Sequence, residues 1–377
     1  MDPGAPLWKP AAVKIPCAAH LGDLMTIVVF GLTVSSSWGN GHATLWRALI
    51  RALGARGHRV CFFERDVPYY AAHRDLSALD GHELHLYRDW NEAAAAAGRA
   101  VSTCDAAIVT SYCPDARAAA DLICTAPTPR KIFYDMDTPI TLAALRAGED
   151  VEYIPRGGLA AFDLVLSFGG GAALDELRQR LGARHVAPLY GSVDPDAYRR
   201  TRGADAYRSD VSYLGTFASD RQAALDALFL EPARRRPELR FLIGGSLYPQ
   251  NFPWAPNIYY VQHVPPPQHP QLYSSCRVTV NVTRGPMAEM GFCPSGRLFE
   301  AAACGTPVLS DEWPGLESFF EPGTEILTAR TPEEATDAVD RSPADLEAIG
   351  QRARMRALAS HSAGSRALQL EQLLTDM

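Results

Sequence analysis

The chain has 377 residues, 47% of them hydrophobic and 21% charged, which is typical of a globular protein and too long for one hydrophobic core. Its net charge of −7 and the lack of a long Lys/Arg run argue against nucleic acid or an anionic membrane as partner, and no apolar stretch approaches the ~20 residues of a membrane span. The eight cysteines form no Cys-x-x-Cys pair, which argues against zinc and indicates reduced thiols in a cytoplasmic protein.

Residues 1–24 are rich in Pro and Ala and lack the apolar core of a signal peptide, so we expect a flexible extension. From Met25 onward, apolar segments alternate with helical ones, which predicts right-handed crossovers and a parallel sheet. We place a first domain at 25–195. Its predicted strands are MTIVVFGL, RVCFFE, AAIVTS, KIFYD and FDLVLSF.

A second domain is predicted at 196–355, after a hinge near 191–209, and a C-terminal helix at 356–377. Its predicted strands are DVSYLG, LRFLIGG, NIYYV, VTVNVT, TPVLS and EILTA, with helices near 218–230, 294–303 and 331–340. The predicted fold is therefore α/β, with two Rossmann-like doubly wound domains facing a cleft and additional C-terminal helices. In such sheets, ligands bind beyond the carboxyl ends of the strands.

The segment SGRLFEAAACGTPVLSDEWPGLESFFEPGTEILTARTPEEA resembles the donor-binding half of GT-B glycosyltransferases of the "group 1" kind. The resemblance is greatest to the CgeB-like branch, which includes a spore-maturation protein. FFERDVPYYAAHRDL, FYDMDTPITL and SYLGTFASDRQAAL resemble the same branch, and LYGSVDPDAY resembles the linker between GT-B domains. The resemblance covers 25–377. It implies a transferase whose co-substrate is a nucleotide diphosphate sugar, with no cofactor and no metal.

The block PSGRLFEAAACGTPV carries the most specific predictions for the donor. Pro294, Ser295 and Gly296 can open a helix whose free N–H groups face a diphosphate. Arg297 in its first turn can contact phosphate oxygens, and Glu300, on the same helical face, can accept hydrogen bonds from both ribose hydroxyls. The competing interpretation is a buried Ala-rich helix with a surface glutamate.

One position departs from the family pattern. Group 1 enzymes carry an acidic residue eight positions before the ribose glutamate, near the transferred sugar, and here that position is Phe292. This departure puts the sugar and the retaining mechanism in doubt. Glu289 lies close by but out of register, and we assign it no role.

Further donor-binding candidates follow predicted strand ends. A glycine in SYLGTF lets the backbone approach a phosphate, and two arginines supply positive charge. The alternative for Arg221 is a solvated helix start. The resemblance also implies base recognition by backbone groups in YYVQHVPP. The candidates are Gly215, Thr216, Arg221, His263, Val264 and Arg284.

The segment SSSWGNGHATLW follows the first predicted strand. Its glycines permit tight turns and close approach to a ligand, and we predict a cleft loop made of Trp38, Gly39, Asn40 and Gly41. His42 follows at a helix start, where a neutral imidazole can act as general base on an acceptor hydroxyl. A capping or packing role for His42 is the alternative.

The segment DMDTP contains the Asp-x-Asp pattern with which another class of transferases holds a cation. We favour a local explanation, in which Asp137 or Thr138 caps a helix with Pro139 in its first turn. Asp137 is also a catalytic candidate, because it can face the cleft and orient His42. SFGGGAALDEL is a further glycine turn that either lines the acceptor side or merely turns tightly.

The sequence thus predicts a metal-independent glycosyltransferase. Its first domain would bind an acceptor, which could be a small molecule, a polysaccharide or a protein, and its second domain would bind the nucleotide sugar. Two alternatives stay open: a nucleotide-sugar epimerase on the same scaffold, and a non-catalytic nucleotide-sugar-binding protein. Donor and acceptor identity are left open by the sequence.

Overall fold

The computed structural model describes residues 24–128 and 130–377. The predicted flexible extension therefore lies, apart from Leu24, outside the described residues. Two parallel sheets dominate the structure, and each is covered by helices on both faces. None of the helices in the described ranges is both long and apolar enough to cross a bilayer.

The first sheet has seven strands in the order β3-β2-β1-β4-β5-β6-β7. The strands are Thr26–Gly31 (β1), Arg59–Arg65 (β2), Glu83–Tyr87 (β3), Ala106–Thr110 (β4), Lys131–Asp135 (β5), Leu164–Ser167 (β6) and Val186–Pro188 (β7). The helices between them are Gly41–Ala55 (α1), Pro68–Ala71 (α2), Trp90–Thr103 (α3), Ala116–Thr125 (α4), Thr138–Arg146 (α5) and Ala172–Leu181 (α6). All five predicted strands are present, and the two edge strands β3 and β7 were not predicted.

The second sheet has six strands in the order β10-β9-β8-β11-β12-β13. They are Ser209–Leu214 (β8), Phe241–Gly244 (β9), Ile258–Val261 (β10), Cys276–Asn281 (β11), Val308–Asp311 (β12) and Leu327–Ala329 (β13), one for each predicted strand. The helices are Gln222–Leu225 (α7), Glu231–Arg235 (α8), His269–Ser274 (α9), Gly285–Met290 (α10), Gly296–Ala303 (α11), Pro332–Val339 (α12), Pro343–Ser360 (α13) and Ala363–Thr375 (α14).

The helix predicted near 218–230 is irregular. It begins as a 3-10 turn, continues as α7 and passes through a π-helical segment, Asp226–Leu230, into α8. Pro232 in the first turn of α8 has no N–H to donate to the preceding turn, which accounts for the local change of hydrogen bonding.

The end of the chain differs from the predicted division. Helix α13 is continuous from Pro343 to Ser360, across the predicted boundary at 355/356. The following helix α14 packs on the first domain, where Ala367, Leu370 and Leu374 join the core formed with α1. An amphipathic helix is stabilised by whichever apolar surface it meets, and the sequence does not reveal that surface. The last helix therefore completes the first domain rather than standing alone.

The chain crosses between the domains at two adjacent points. Backbone hydrogen bonds of a β-bridge between Val193 and Ser362 hold these two segments together. The buried Arg366 lies beside them and donates to the carbonyls of Tyr190 (3.1 Å) and Gly191 (3.3 Å). Burial lowers the pKa of Arg366 to about 10, so its charge is costly and is stabilised by these carbonyls.

Each sheet reverses its strand order once, between β1 and β4 in the first domain and between β8 and β11 in the second. The loops at the carboxyl ends of these strands diverge and leave a crevice, which is where open parallel sheets bind ligands. The His42 loop follows β1, and Gly215 and Arg284 follow β8 and β11. The topology therefore brings the predicted site residues to one place.

Candidate functional site

A cleft of about 540 Å³ lies between the carboxyl edges of the two sheets. Both domains contribute to its wall. Of the predicted site residues, all but Trp38 line this cleft: Gly39, Asn40, Gly41, His42 and Asp137 from the first domain, and Gly215, Thr216, Arg221, His263, Val264, Arg284, Ser295, Gly296, Arg297 and Glu300 from the second. The structure thus brings together residues that are up to 261 positions apart in the chain (Gly39 and Glu300).

The N-terminus of α11 forms part of the second-domain wall. The helix begins at Gly296, as predicted, and the Ser295 side chain caps it by accepting from the Arg297 N–H at 3.4 Å. The Arg297 guanidinium donates to the carbonyls of Leu214 (2.6 Å) and Val282 (3.2 Å), next to the ends of β8 and β11. Arg297 therefore braces the strand ends as well as adding positive charge to the wall.

Three arginines, Arg221, Arg284 and Arg297, line the same part of the cleft. Burial lowers the pKa of the Arg221 guanidinium, and the charges of Arg297 and Arg284 lower it further. Its Nε atom is buried and has no hydrogen-bond partner among the described residues. Asp220 pairs with Arg284 at 2.9 Å. Such a group of crowded cations favours an anionic ligand, because an anion would relieve the repulsion and accept the free donor.

Glu300 lies one turn after Arg297 and is only 9% exposed. Burial raises the pKa of its carboxyl group to about 7. The closest basic atom is Nδ1 of His269, at 3.9 Å from Oε2. Burial lowers the pKa of His269 to about 4, so this imidazole is neutral and gives the carboxylate no countercharge. A carboxylate held in this way is suited to accept hydrogen bonds from a bound ligand.

The first domain places His42 and Asp137 opposite the arginines. His42 Nε2 lies 3.0 Å from Asp137 Oδ2, although the residues are 95 positions apart in sequence. Asp137 is the N-cap residue of α5, but its side chain makes no capping hydrogen bond. His42 Nδ1 is buried without a partner among the described residues. When the Nε2–H group of His42 donates to the Asp137 carboxylate, Nδ1 carries the lone pair, and this is the tautomer that a general base needs.

The other carboxylate of DMDTP lies beneath the site. Asp135 is fully buried and accepts from the Asp137 N–H (3.1 Å) and from Thr141 Oγ1 (3.0 Å). Burial raises its pKa to about 7. Because one carboxylate is buried and the other pairs with a histidine, this segment does not present two free carboxylates to a cation.

Trp38 lies at the edge of the cleft and joins the two domains. Its ring stacks on His73 of the first domain with centroids 4.2 Å apart. On its other contact it meets the His263 ring of the second domain at a tilt of 44°, with centroids 4.4 Å apart. Burial lowers the pKa of His263, as does the neighbouring His73. We refer to His73, Trp38 and His263 as the aromatic clasp.

Phe292 does not line the cleft. It adopts φ +47° and lies against glycines of both domains: a Cβ on Gly171 would come within 2.6 Å of its ring, and a Cβ on Gly315 within 2.5 Å. The Gly170 N–H donates to the Phe292 carbonyl at 2.8 Å. The glycines of SFGGGAAL thus form a socket for Phe292. In that segment, Phe168 is the residue that lines the cleft.

Several positioning residues were missed by sequence reasoning. Glu64, at the end of β2, is buried and accepts from Thr33, from the Val34 N–H (2.7 Å) and from Ser35, so it shapes the loop before His42. A glutamate directly after an apolar strand was the available signal.

Two tyrosines support the loops after β8 and β9 in the second domain and were also missed. Tyr248 Oη donates to the Gly215 carbonyl at 2.9 Å, and Tyr260 Oη donates to the Gly245 carbonyl at 3.0 Å. A Cβ on Gly245 would lie 2.0 Å from the Gly215 carbonyl oxygen, so the two loops touch only because that residue is glycine. No sequence signal pointed to these bonds.

One group of potential metal ligands lies outside the cleft, at the β2–β3 edge of the first sheet. Ligand atoms of Cys61, Glu83 and His85 lie within 4.8 Å of one another. Burial raises the pKa of the Cys61 thiol to about 12, and Arg59 pairs with Glu83 at 3.2 Å. Metal binding would require the thiolate, so these contacts oppose it.

A glycosyl transferase-like family model matches residues 221–372. No curated protein matches the chain.

Solved structures resemble it over nearly the whole length. Sucrose-phosphate synthase from Thermosynechococcus elongatus has a TM-score of 0.64 and 16% identity, with 93% of this chain and 98% of that one covered. Anabaena HepE in complex with UDP-glucose has a TM-score of 0.63 and 15% identity, covering 94% and 100%. An alpha-glucosyltransferase in complex with UDP-glucose and DNA has a TM-score of 0.66 and 12% identity, covering 93% and 99%. The protein therefore has the GT-B fold, with a glycosyltransferase-like second domain.

Proposed function

We propose that this protein is a metal-independent glycosyltransferase that moves a sugar from a nucleotide diphosphate sugar to an acceptor hydroxyl. The observation that carries the proposal is the arrangement of charged groups on the two walls of the cleft. One wall carries the group of arginines and the buried Glu300 carboxylate, and the other carries the pair formed by His42 and Asp137. Two of the similar structures contain UDP-glucose, which supports a nucleotide sugar as ligand.

In the proposed reaction, the diphosphate lies against Arg221, Arg284 and the N-terminus of α11, and the ribose hydroxyls donate to Glu300. The acceptor oxygen forms a bond to the anomeric carbon as the bond from that carbon to the diphosphate oxygen breaks. The diphosphate keeps the electron pair, and the arginines stabilise its added charge. The acceptor proton passes to His42, whose imidazolium Asp137 stabilises. Placing the cleft between two domains excludes water and protects the donor from hydrolysis.

Metal independence is part of the proposal. Arginines and helix N–H groups supply the positive charge that a bridging cation would otherwise supply. The test is turnover in excess EDTA. We expect unchanged turnover. Complete loss of turnover that Mn²⁺ or Mg²⁺ restores would indicate that the carboxylates of DMDTP hold a catalytic cation.

Calorimetric titration with UDP-glucose, ADP-glucose and GDP-mannose, followed by NMR of each sugar with and without an acceptor mixture, tests the function as a whole. Binding of one donor, slow hydrolysis without acceptor and transfer with acceptor are expected. Conversion of the donor to its epimer without an acceptor would support an epimerase instead. Tight binding without any turnover would support a non-catalytic binding protein.

A further inference from the structure

The first-domain wall of the cleft faces the acceptor in the proposed reaction, and three of its polar side chains, Asn40, Ser37 and Thr44, already make hydrogen bonds within the protein. Asn40 uses its amide and its carbonyl group on backbone atoms of its own loop. Ser37 donates to Asp75, and Thr44 donates to the Gly41 carbonyl. An oligosaccharide buries many hydroxyl groups, each of which needs a partner, and these side chains provide few.

The same wall offers no positive charge. Among the described residues that line it, there is no lysine or arginine, and the arginines of the cleft all belong to the second domain. Of those arginines, Arg284 already pairs with Asp220. An acceptor carrying a phosphate or a carboxylate would therefore meet Asp137 on this wall. Arg284, the arginine whose charge reaches Tyr112, is already neutralised by Asp220.

The remaining surface of this wall is apolar and aromatic. It consists of Leu32, Leu45, Tyr70, Tyr112, Met136 and Phe168. The second domain adds Met287 to the lining of the cleft. Ring-bearing and apolar side chains recognise flat apolar molecules by contact area and stacking.

Tyr112 is the most informative residue of this surface, because it is held in an unfavourable backbone conformation. Its φ of +60° lies in the left-handed region, where a bulky side chain is strained. The ring lies 5.9 Å from the His42 ring and 4.7 Å from the Tyr153 ring, measured between centroids. Strain of this kind persists where the position of a side chain matters for function.

The size of the cleft limits the acceptor further. Sites for one drug-sized ligand have volumes of about 300–1,000 Å³. The whole cleft, at about 540 Å³, lies in that range and has to hold the nucleotide sugar as well. The part of an acceptor that enters the cleft beside the donor must therefore be small.

From these observations, and resting on the proposed transferase function, we propose that the acceptor is a small uncharged molecule with a flat aromatic body and a hydroxyl group. The body lies against Tyr112, and the hydroxyl points to His42. Apolar contact selects the molecule, and the histidine–carboxylate pair selects the oxygen that reacts.

The test uses direct binding, so that it does not depend on catalysis. We would titrate 7-hydroxycoumarin, maltotriose and glucose 6-phosphate into the full-length protein saturated with UDP. We expect 7-hydroxycoumarin to bind and the two sugars not to bind. Tyr112→Ala should weaken coumarin binding roughly tenfold while leaving UDP affinity unchanged. Tyr259→Ala is the matched control, because Tyr259 is exposed on β10 and does not line the cleft.

A second variant guards against a misfolded protein. Tyr112→Gly should unfold at a higher temperature than Tyr112→Ala, because glycine accepts the positive φ, whereas both variants should bind coumarin equally poorly. Transfer of sugar to maltotriose or glucose 6-phosphate but not to coumarin would overturn the inference and leave the transferase function intact. Failure of coumarin to bind the UDP-loaded protein would also overturn it. Failure of every nucleotide to bind would overturn the proposed function itself.

Discussion

At the residue scale, Glu300 combines burial with a role in ligand binding. Its carboxyl group has a pKa of about 7, so it is partly protonated in the free protein at neutral pH. Two ribose hydroxyls are accepted best by the ionised form, which offers both oxygens as strong acceptors, so binding would lower this pKa. Binding should therefore release a proton, and affinity should weaken as pH falls through about 7.

The measurement is calorimetry with a nucleotide sugar in two buffers of different ionisation enthalpy at pH 7. A nucleotide sugar is preferred to a nucleoside diphosphate, whose terminal phosphate titrates near this pH. We expect release of about half a proton in the wild type and none in Glu300→Gln. Glu300→Ala should bind roughly 10- to 150-fold more weakly, the loss of one or two charged hydrogen bonds. Proton uptake in the wild type would contradict the ribose assignment.

His42 and Asp137 should act on turnover and not on donor binding. His42→Ala should lower the rate by roughly 10²-fold or more, the usual contribution of a general base. Asp137→Asn should lower it as well, because the amide cannot stabilise an imidazolium ion. Rates and UDP affinity would be measured on both variants, with His185→Ala as an exposed control. A normal rate in His42→Ala would leave this histidine structural.

The sequence predicted which residues line the cleft better than it predicted their environments. Ser295, Gly296, Arg297 and Glu300 share one helix, and their spacing alone places them on one wall. The contact of His42 with Asp137 depends on the pairing of β1, β4 and β5, and the pKa of Glu300 depends on burial beside α9. Both are tertiary properties that no local pattern reports.

At the element scale, the glycine turn after β6 packs against the loop before α11, with the Phe292 ring seated against the glycines. Gly171→Ala would place a Cβ 2.6 Å from Cδ2 of Phe292 in a residue with φ +57°. We expect a destabilisation of about 1–3 kcal/mol, the usual cost of overpacking. Gly148→Ala is the control, because Gly148 has φ +78° but nothing within 4 Å of its added Cβ, so it reports the backbone cost alone.

A double-mutant cycle separates the socket from general strain. Combining Gly171→Ala with Phe292→Ala should recover part of the loss, because the added methyl then fills the space of the missing ring. Chemical denaturation of the single and double variants provides the free energies of unfolding. Simple additivity would show that the two residues do not contact each other in solution.

The elements that sequence analysis missed are short or lie at an edge. β3 alternates apolar and polar residues in ELHLY, and β7 has only three residues, so neither shows the continuous apolar run of the central strands. The π-helical turn before α8 was missed because its cause, Pro232, lies beyond the predicted helix. The central strands were predicted because burial on both faces requires apolar residues throughout.

At the scale of the whole molecule, the domains meet along a cleft that closes at one edge through the aromatic clasp. The two chain crossings beside Arg366 connect the domains covalently and are held to each other by hydrogen bonds. Opening would thus separate Trp38 from His263 and leave the crossings in place. Sequence alone predicted the cleft but not the clasp, because His73 and His263 are 190 positions apart in the chain and only the facing of the two sheets brings them to one indole.

Opening of the clasp should depend on pH. Burial and the neighbouring His73 hold the pKa of His263 below its usual value, which means that the closed arrangement disfavours protonation, and Asp75 opposes this only in part. The clasp is therefore intact above the usual histidine pKa of about 6.5 and weakens as pH falls through it. We expect the dissociation rate of a nucleotide sugar, followed by stopped flow, to rise several-fold between about pH 7.5 and about pH 5.5.

Two variants test the clasp directly. Trp38→Ala should release the ligand fast at both pH values. It should also hydrolyse the donor faster without acceptor, because water enters the opened cleft. His73→Gln should lose only part of the pH dependence, because burial is the larger cause of the lowered pKa, and it should keep its slow rate at neutral pH. A wild-type rate that does not change with pH would leave the three rings as packing and assign them no part in closing the cleft.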